Sequence, residues 1–141
     1  MFLLDTNVVS EAVRPEPDPN VVRWFDSQPP AQMFLSAIVK AELLSGVEQM
    51  PAGKRRDALV HSLSGFFGSI DDQNCIGFGA AESEHYARIF ASRRRIGRPI
   101  DEMDALIAAS ASVRGLNLAT RNVTDFENCG RALINPWEFP G

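Results

Sequence analysis

Little in this sequence speaks for covalent staples, soft-ligand metal sites or passage through a membrane. Only two cysteines occur among 141 residues, Cys75 and Cys129. They lie far apart and lack the paired spacing of a zinc site or a disulfide framework. The two histidines, His61 and His85, show neither metal-ligand nor triad spacing, and both read as surface or boundary residues. No apolar run approaches the roughly 18 residues of a membrane span. The apolar opening is too short for a signal peptide and carries an acid at its fifth position. Excess basic charge is missing too, since the net charge is −4. That total does not advertise a nucleic-acid binder, although local charge matters more than the sum. These absences predict a soluble cytoplasmic protein in a reducing compartment.

With 45% apolar residues and no low-complexity tract, the chain suits one domain, residues 1–141, with a core large enough to need no staples. Two basic clusters stand out, Lys54-Arg55-Arg56 and Arg93-Arg94-Arg95 with Arg98 beyond. Each alone reads as a solvated helix face.

Short apolar runs alternate with helical periodicity along the whole length. Phe2-Leu3-Leu4 reads as a buried strand of a parallel sheet. Val8 to Val13 suggest a helix, and Arg14-Pro15-Glu16-Pro17-Asp18-Pro19 is a stretch no helix crosses. A second helix, capped by Asp18 and begun by Pro19, buries Val21, Val22, Trp24 and Phe25. Met33-Phe34-Leu35 is a second strand, and Ser36 caps a helix from Ala37 to Gln49. Beyond Pro51-Ala52-Gly53, a long helix places Leu59, Leu63, Phe66, Phe67 and Ile70 on one face. Cys75 to Phe78 form a weak third strand, and Ala80 to Arg95 a helix with Tyr86, Ile89 and Phe90 inward. Asp101 opens a helix with Met103, Leu106, Ile107 and Ser110 inside, ended by Gly115. Leu116 to Thr120 and Leu133-Ile134 complete the strands. The expected class is α/β, a three-layer α/β/α arrangement with a mostly parallel central sheet.

Chemistry is suggested by where the acids fall. Asp5 follows the first strand directly, at the carboxyl edge where open α/β sheets collect ligands. Alternatively, Asp5 or Thr6 merely caps the first helix. Glu42 has Ile38 and Val39 one turn before it, and Ser45 and Gly46 one turn after. A carboxylate on such a face needs a cationic partner or a job. Asp104 stands close to the seam of its helix, although at the third helical position it also suits the helix dipole. The fourth long strand runs into Arg121, Asn122, Thr124 and Asp125. Acids drawn into one cleft would repel one another if bare. Hard cations such as Mg²⁺ or Mn²⁺ resolve that repulsion, because they prefer carboxylate oxygens and keep their waters. The pattern favours metal-assisted hydrolysis.

Four segments resemble a known family. Leu4-Asp5-Thr6-Asn7-Val8-Val9-Ser10-Glu11 resembles the opening of a PIN domain, and Leu35 to Leu43 its second-acid helix. Asp104-Ala105-Leu106-Ile107-Ala108-Ala109 resembles the third-acid helix. Leu118 to Phe126, followed by Ile134-Asn135-Pro136-Trp137, resembles the closing region. The match runs end to end and is nearest to the VapC and FitB-like toxins of bacterial toxin–antitoxin pairs. The resemblance implies an Mg²⁺- or Mn²⁺-dependent endoribonuclease silenced by a cognate antitoxin, a homodimer, and contact with operator DNA through the antitoxin. It implies Asp5, Glu42 and Asp104 as catalytic and metal-binding acids, supported by Thr6, Asn7 and Thr120. Where some relatives carry a fourth acid this chain has Asn122, with Asp125 one turn away as a substitute. Arg93, Arg94, Arg95 and Arg98 are candidate RNA-phosphate contacts.

Rival readings have weaker support. A phosphoaspartate phosphatase needs a second Asp two residues after the first, where Asn7 stands. A receiver-like phosphoacceptor wants an acidic pair at the first strand end and a Lys at the last, and neither is present. A binding-only module on the same fold is the serious alternative, because Asn122 leaves the site incompletely acidic.

Overall fold

The first strand, β1 (Phe2–Leu4), is the middle strand of the sheet, and the architecture grows outward from it on both sides. The computed structural model describes residues 1–140. After β1 come α1 (Thr6–Ala12) and α2 (Pro19–Ser27), then β2 (Met33–Ser36). Next are α3 (Ala37–Glu48), α4 (Lys54–Ser69) and β3 (Cys75–Ile76). The second half runs through α5 (Ala80–Arg95), α6 (Glu102–Arg114), β4 (Asn117–Ala119), α7 (Val123–Phe126) and β5 (Leu133–Ile134).

All five strands are parallel, in the order β3-β2-β1-β4-β5. Leu3 pairs in register with Phe34 on one side and Leu118 on the other, and Leu118 with Leu133. Leu3, Leu4, Leu35, Leu118 and Ala119 are all buried, as expected of strands covered on both faces. From β1 to β3 the chain moves one way across the sheet. From β3 to β4 it crosses back, and β5 continues in the new direction. Right-handed crossovers therefore put α1 to α4 on one face and α5 to α7 on the other. The reversal makes the carboxyl ends of β1 and β4 the switch point, where a crevice opens.

On the first face, aromatic edges link the elements. The Phe2 and Trp24 rings lie 5.4 Å apart, Trp24 and Phe25 5.1 Å, and Phe25 and Phe66 6.1 Å, each near perpendicular. This chain of T-shaped contacts ties β1, α2 and α4 together. On the other face, α5 and α6 make the most extensive helix–helix contact of the fold. The alanines of α6, Ala105, Ala108, Ala109 and Ala111, are buried and let α5 and the sheet approach closely. At the carboxyl terminus, Trp137 and Phe139 pack on the core, and the Trp137 carbonyl accepts from Asn20 Nδ2 at 2.6 Å.

Local chemistry sets the element ends. Asp5, Asp18, Ser36 and Asp101 each accept a hydrogen bond from a first-turn amide of the helix that follows. Gly115 ends α6 in the left-handed conformation, at φ 65°. Three expectations need correction. The first helix begins at Thr6, not Val8, because Asp5 is its cap. Val22 is 38% exposed and does not share the face of Val21 and Trp24. Met103 is 36% exposed, since the buried side of α6 carries Ala105, Ile107, Ala108, Ala109 and Ala111 and leaves Met103 outside it.

Trp24 is fully buried, and its indole Nε1 has no hydrogen-bond partner among the described residues. It contributes volume and ring edges alone. Trp24→Ala should cost about 3–5 kcal/mol. Trp24→Phe, which keeps the ring contacts and removes the orphaned donor, should cost far less. Urea unfolding of the two variants checks this.

Candidate active site

The acids expected to converge do so at the switch point. Asp5 caps α1 and also lines the crevice. Its Oδ1 accepts from the Thr6 amide at 2.8 Å, and Oδ2 from Thr120 Oγ1 at 2.7 Å. The second bond joins the ends of β1 and β4 across 115 residues and leaves Asp5 only 4% exposed. Thr120 Oγ1 in turn accepts from the Asn122 amide at 3.0 Å, fixing the turn after β4. Asn7 braces the same turn, its Oδ1 accepting from the Arg121 amide at 3.3 Å.

Glu42 reaches the cleft from α3. Its Oε1 accepts from Thr6 Oγ1 at 2.7 Å, so a hydroxyl, not a cation, meets the need its position creates. Asp104 enters from the first turn of α6. Together Asp5, Thr6, Asn7, Glu42, Asp104 and Asn122 line a cleft of about 440 Å³, with Ser10, Glu11, Arg14, Arg121 and Trp137 completing it.

These carboxylates are not neutralised. The ion pairs of the described residues are Arg14–Glu11, Arg56–Glu48, Arg98–Glu127 and Arg114–Glu82, and none involves Asp5, Glu42 or Asp104. Proton affinity rises in consequence. Burial first, then the charges of Asp5, Asp101, Asp125 and Glu42, push the Asp104 carboxyl up to about 7. Asp5 is also raised by burial, against the opposing hydrogen bonds of Thr120 and Thr6 and with the help of Glu42 and Asp125. Asp125 thus adds to the negative field of the cleft, although its side chain does not line it.

The donor set fits a hard divalent ion and no soft one. No His or Cys lines the cleft. Among the described residues, no three His, Cys, Asp or Glu side chains close tightly enough to cage an ion. The acids instead ring an open space, the arrangement in which Mg²⁺ or Mn²⁺ is held by one or two carboxylates and keeps several waters. Asp5, Asp104 and Glu42 are the acids of the cleft that could offer oxygens to such an ion.

The basic cluster needs correction. Arg93, expected on RNA, is 4% exposed and its donors are spent inside the fold. Nε donates to the Arg98 carbonyl at 2.6 Å, and Nη1 to the carbonyls of Asp125 and Glu127 at 2.8 and 2.9 Å. It braces the segment after α7. Arg98 is exposed and pairs with Glu127 at 3.0 Å, while Arg94 and Arg95 reach solvent. Five cleft-lining residues, Ser10, Glu11, Arg14, Arg121 and Trp137, were not among the candidates read from the sequence. Glu11 and Arg14 were legible as an i, i+3 pair. Arg121 and Trp137 stood only within the segments that resemble the family's closing region, with nothing to show that a carboxyl-terminal turn brings Trp137 to the cleft.

The site is thus a set of carboxylates without a cationic partner at the switch point of a parallel α/β sheet. The chain belongs to the PIN domain family, which residues 2–131 match. It is 40% identical over 138 residues to the plasmid stability protein StbB of Pseudomonas syringae pv. tomato, covering 98% of this chain and 99% of that one. It is 41% identical, with the same coverage, to the VapC ribonuclease Y4jK of Sinorhizobium fredii. The crystal structure of FitAcB from Neisseria gonorrhoeae superposes with a TM-score of 0.91 at 36% identity, covering 98% and 99% of the two chains. A structure of FitAB bound to an IR36 DNA fragment gives the same TM-score at 33% identity, covering 100% and 99%.

A raised carboxyl pKa has a definite effect on stability. Below about pH 4 the folded and unfolded chains both hold the Asp104 proton, and from there to about 7 only the folded chain does. Unfolding then releases a proton, so this group's contribution falls as pH rises through the window. In EDTA, Asp104→Asn should gain melting temperature relative to the native chain between pH 4 and 7. Above 7 the gain should level off. Thermal melts of both proteins across this range check it.

Proposed function

We propose that the chain is a divalent-metal-dependent endoribonuclease, the toxin of a type II toxin–antitoxin pair. The observation that carries this reading is the set of Asp5, Glu42 and Asp104, delivered by three separate elements to one cleft without a cation between them. Mg²⁺ or Mn²⁺, when bound, supplies Lewis acidity and positive charge at the scissile phosphodiester. Asp5 and Asp104 would hold it. Glu42, with Oε1 engaged by Thr6, has Oε2 to orient the attacking water and take its proton. Thr6 and Thr120 fix the carboxylates, and Asn122 adds a neutral oxygen near the phosphate. Asp125 contributes charge from behind. The nuclease unit is taken as residues 1–141, since Trp137 closes the cleft beyond the matched segment.

RNA enters single-stranded and is gripped by its backbone, with Arg94, Arg95 and Arg98 as cations outside the cleft. The site belongs in the cytoplasm, where RNA is available; no helix among the described residues is long and apolar enough to cross a membrane. A cognate antitoxin is the expected partner, as in the FitAB complex, and through it operator DNA. An apolar groove of about 750 Å³ between α3 and α4 supports this. Leu43, Val47, Met50, Leu59 and Leu63 line it, and it runs on to Thr6 and Glu42 at the cleft. A helix with an apolar face and one basic residue suits both ends. Exposed Leu44 and Val60, on α3 and α4, support a homodimer. A binding-only module remains the rival because Asn122 is neutral.

Asp5→Asn and Asp104→Asn should each lower single-stranded RNA cleavage by at least about a hundredfold, a loss of several kcal/mol of transition-state stabilisation. EDTA should abolish cleavage, and Mg²⁺ or Mn²⁺ restore it. Thr120→Val, which frees Asp5 to turn, should cost about 10–100-fold. Nuclease assays on proteins with matched circular dichroism test all three. Cleavage by Asp5→Asn, or indifference to EDTA, would favour the binding module.

A further inference from the structure

Two guanidinium groups border the acidic cleft, and they are engaged differently. Arg14 is paired with buried Glu11 at 3.0 Å. Arg121 makes no ion pair and no hydrogen bond from its guanidinium among the described residues, although carboxylates share its cleft. Instead the guanidinium carbon lies over the Trp137 ring, 5.0 Å from its centre. Trp137 is itself fixed, its amide donating to Asn135 Oδ1 at 3.0 Å and its carbonyl accepting from Asn20 at 2.6 Å. The Arg121 backbone is held by Asn7.

A cation beside a negative cleft ordinarily folds onto the nearest carboxylate. Stacking on an indole competes with that collapse, because it uses the face of the guanidinium and leaves its edge donors unspent. Those edge donors match the paired oxygens of a phosphate. We infer that Arg121 grips a backbone phosphate of single-stranded RNA next to the one cleaved, and that Trp137 is the positioning residue that keeps it off the acids. The cleft then carries separate devices, acids for the reacting phosphate and one parked guanidinium for its neighbour. This inference rests on the nuclease reading above, and its test separates the two.

The probe is a short fluorescein-labelled single-stranded RNA of mixed sequence, bound in Mg²⁺ to proteins that carry Asp5→Asn. Adding Arg121→Ala should weaken binding by about tenfold, the value of one charged hydrogen-bonded contact. It should also lower the slope of log affinity against log salt by about 0.7, one phosphate on a single strand. Trp137→Phe should retain most of the affinity, whereas Trp137→Leu should lose it as Arg121→Ala does. In the active protein Arg121→Ala should raise KM with kcat little changed and the Mg²⁺ dependence unmoved. A purely structural role would shift the Mg²⁺ dependence or the melting temperature instead. An unaltered salt slope in Arg121→Ala overturns the inference, as does a fall in kcat with KM unchanged. If the native chain binds RNA but cleaves none, the nuclease reading fails and the binding data still decide Arg121. If it binds no RNA, both fall.

Discussion

Uncompensated negative charge is the constraint around which this protein is built. Acids from β1, α3 and α6 face one crevice, and no cation neutralises them within the fold. Something neutral has to hold them, and threonine hydroxyls do. Thr120 holds Asp5 and Thr6 holds Glu42, at 2.7 Å in each case. A hydroxyl donor fixes a carboxylate's direction without cancelling its charge, which a lysine or arginine would do. The cleft therefore keeps its field and its geometry together, at the expense of proton affinities pushed upward in the bare protein.

The sheet makes this arrangement possible. Reversal of strand order at β1 and β4 splays the following helices to opposite faces and leaves their amino-terminal turns at the crevice. Thr6 opens α1 there, Asp104 lies in the first turn of α6, and Asn122 precedes α7. Helix amino termini carry partial positive charge, which moderates the repulsion without ending it. The alanine-rich side of α6 matters for the same reason, because a slim helix packs close enough for Asp104 to reach the common space.

Most of this was legible from residues alone. Short apolar strands followed at once by polar groups marked the carboxyl edge, and Glu42 betrayed itself by standing on an apolar and small-residue face. What stayed hidden was whatever depends on three-dimensional neighbours. Arg93 looks like its neighbours Arg94 and Arg95 in a linear reading. Only the fold reveals that it alone points at the carbonyls of Asp125 and Glu127. Val22 and Met103 misled because hydrophobicity does not say which side of a helix is covered when small residues can do the covering. Trp137 stood in a recognisable motif, but its partnership with Arg121 was hidden, since a carboxyl-terminal turn returning to the switch point makes it.

The bond between Thr120 and Asp5 links residues 115 positions apart, the end of β1 to the end of β4. A polypeptide still emerging from the ribosome has its opening strand and first acid long before the neighbour that completes them. Closing a contact of such sequence separation carries a larger loop-closure entropy cost than closing one within a helix. A chain without the segment from β4 onward lacks Arg121, Asn122 and Trp137 from the cleft wall, and with Thr120 the hydrogen bond that holds Asp5 Oδ2.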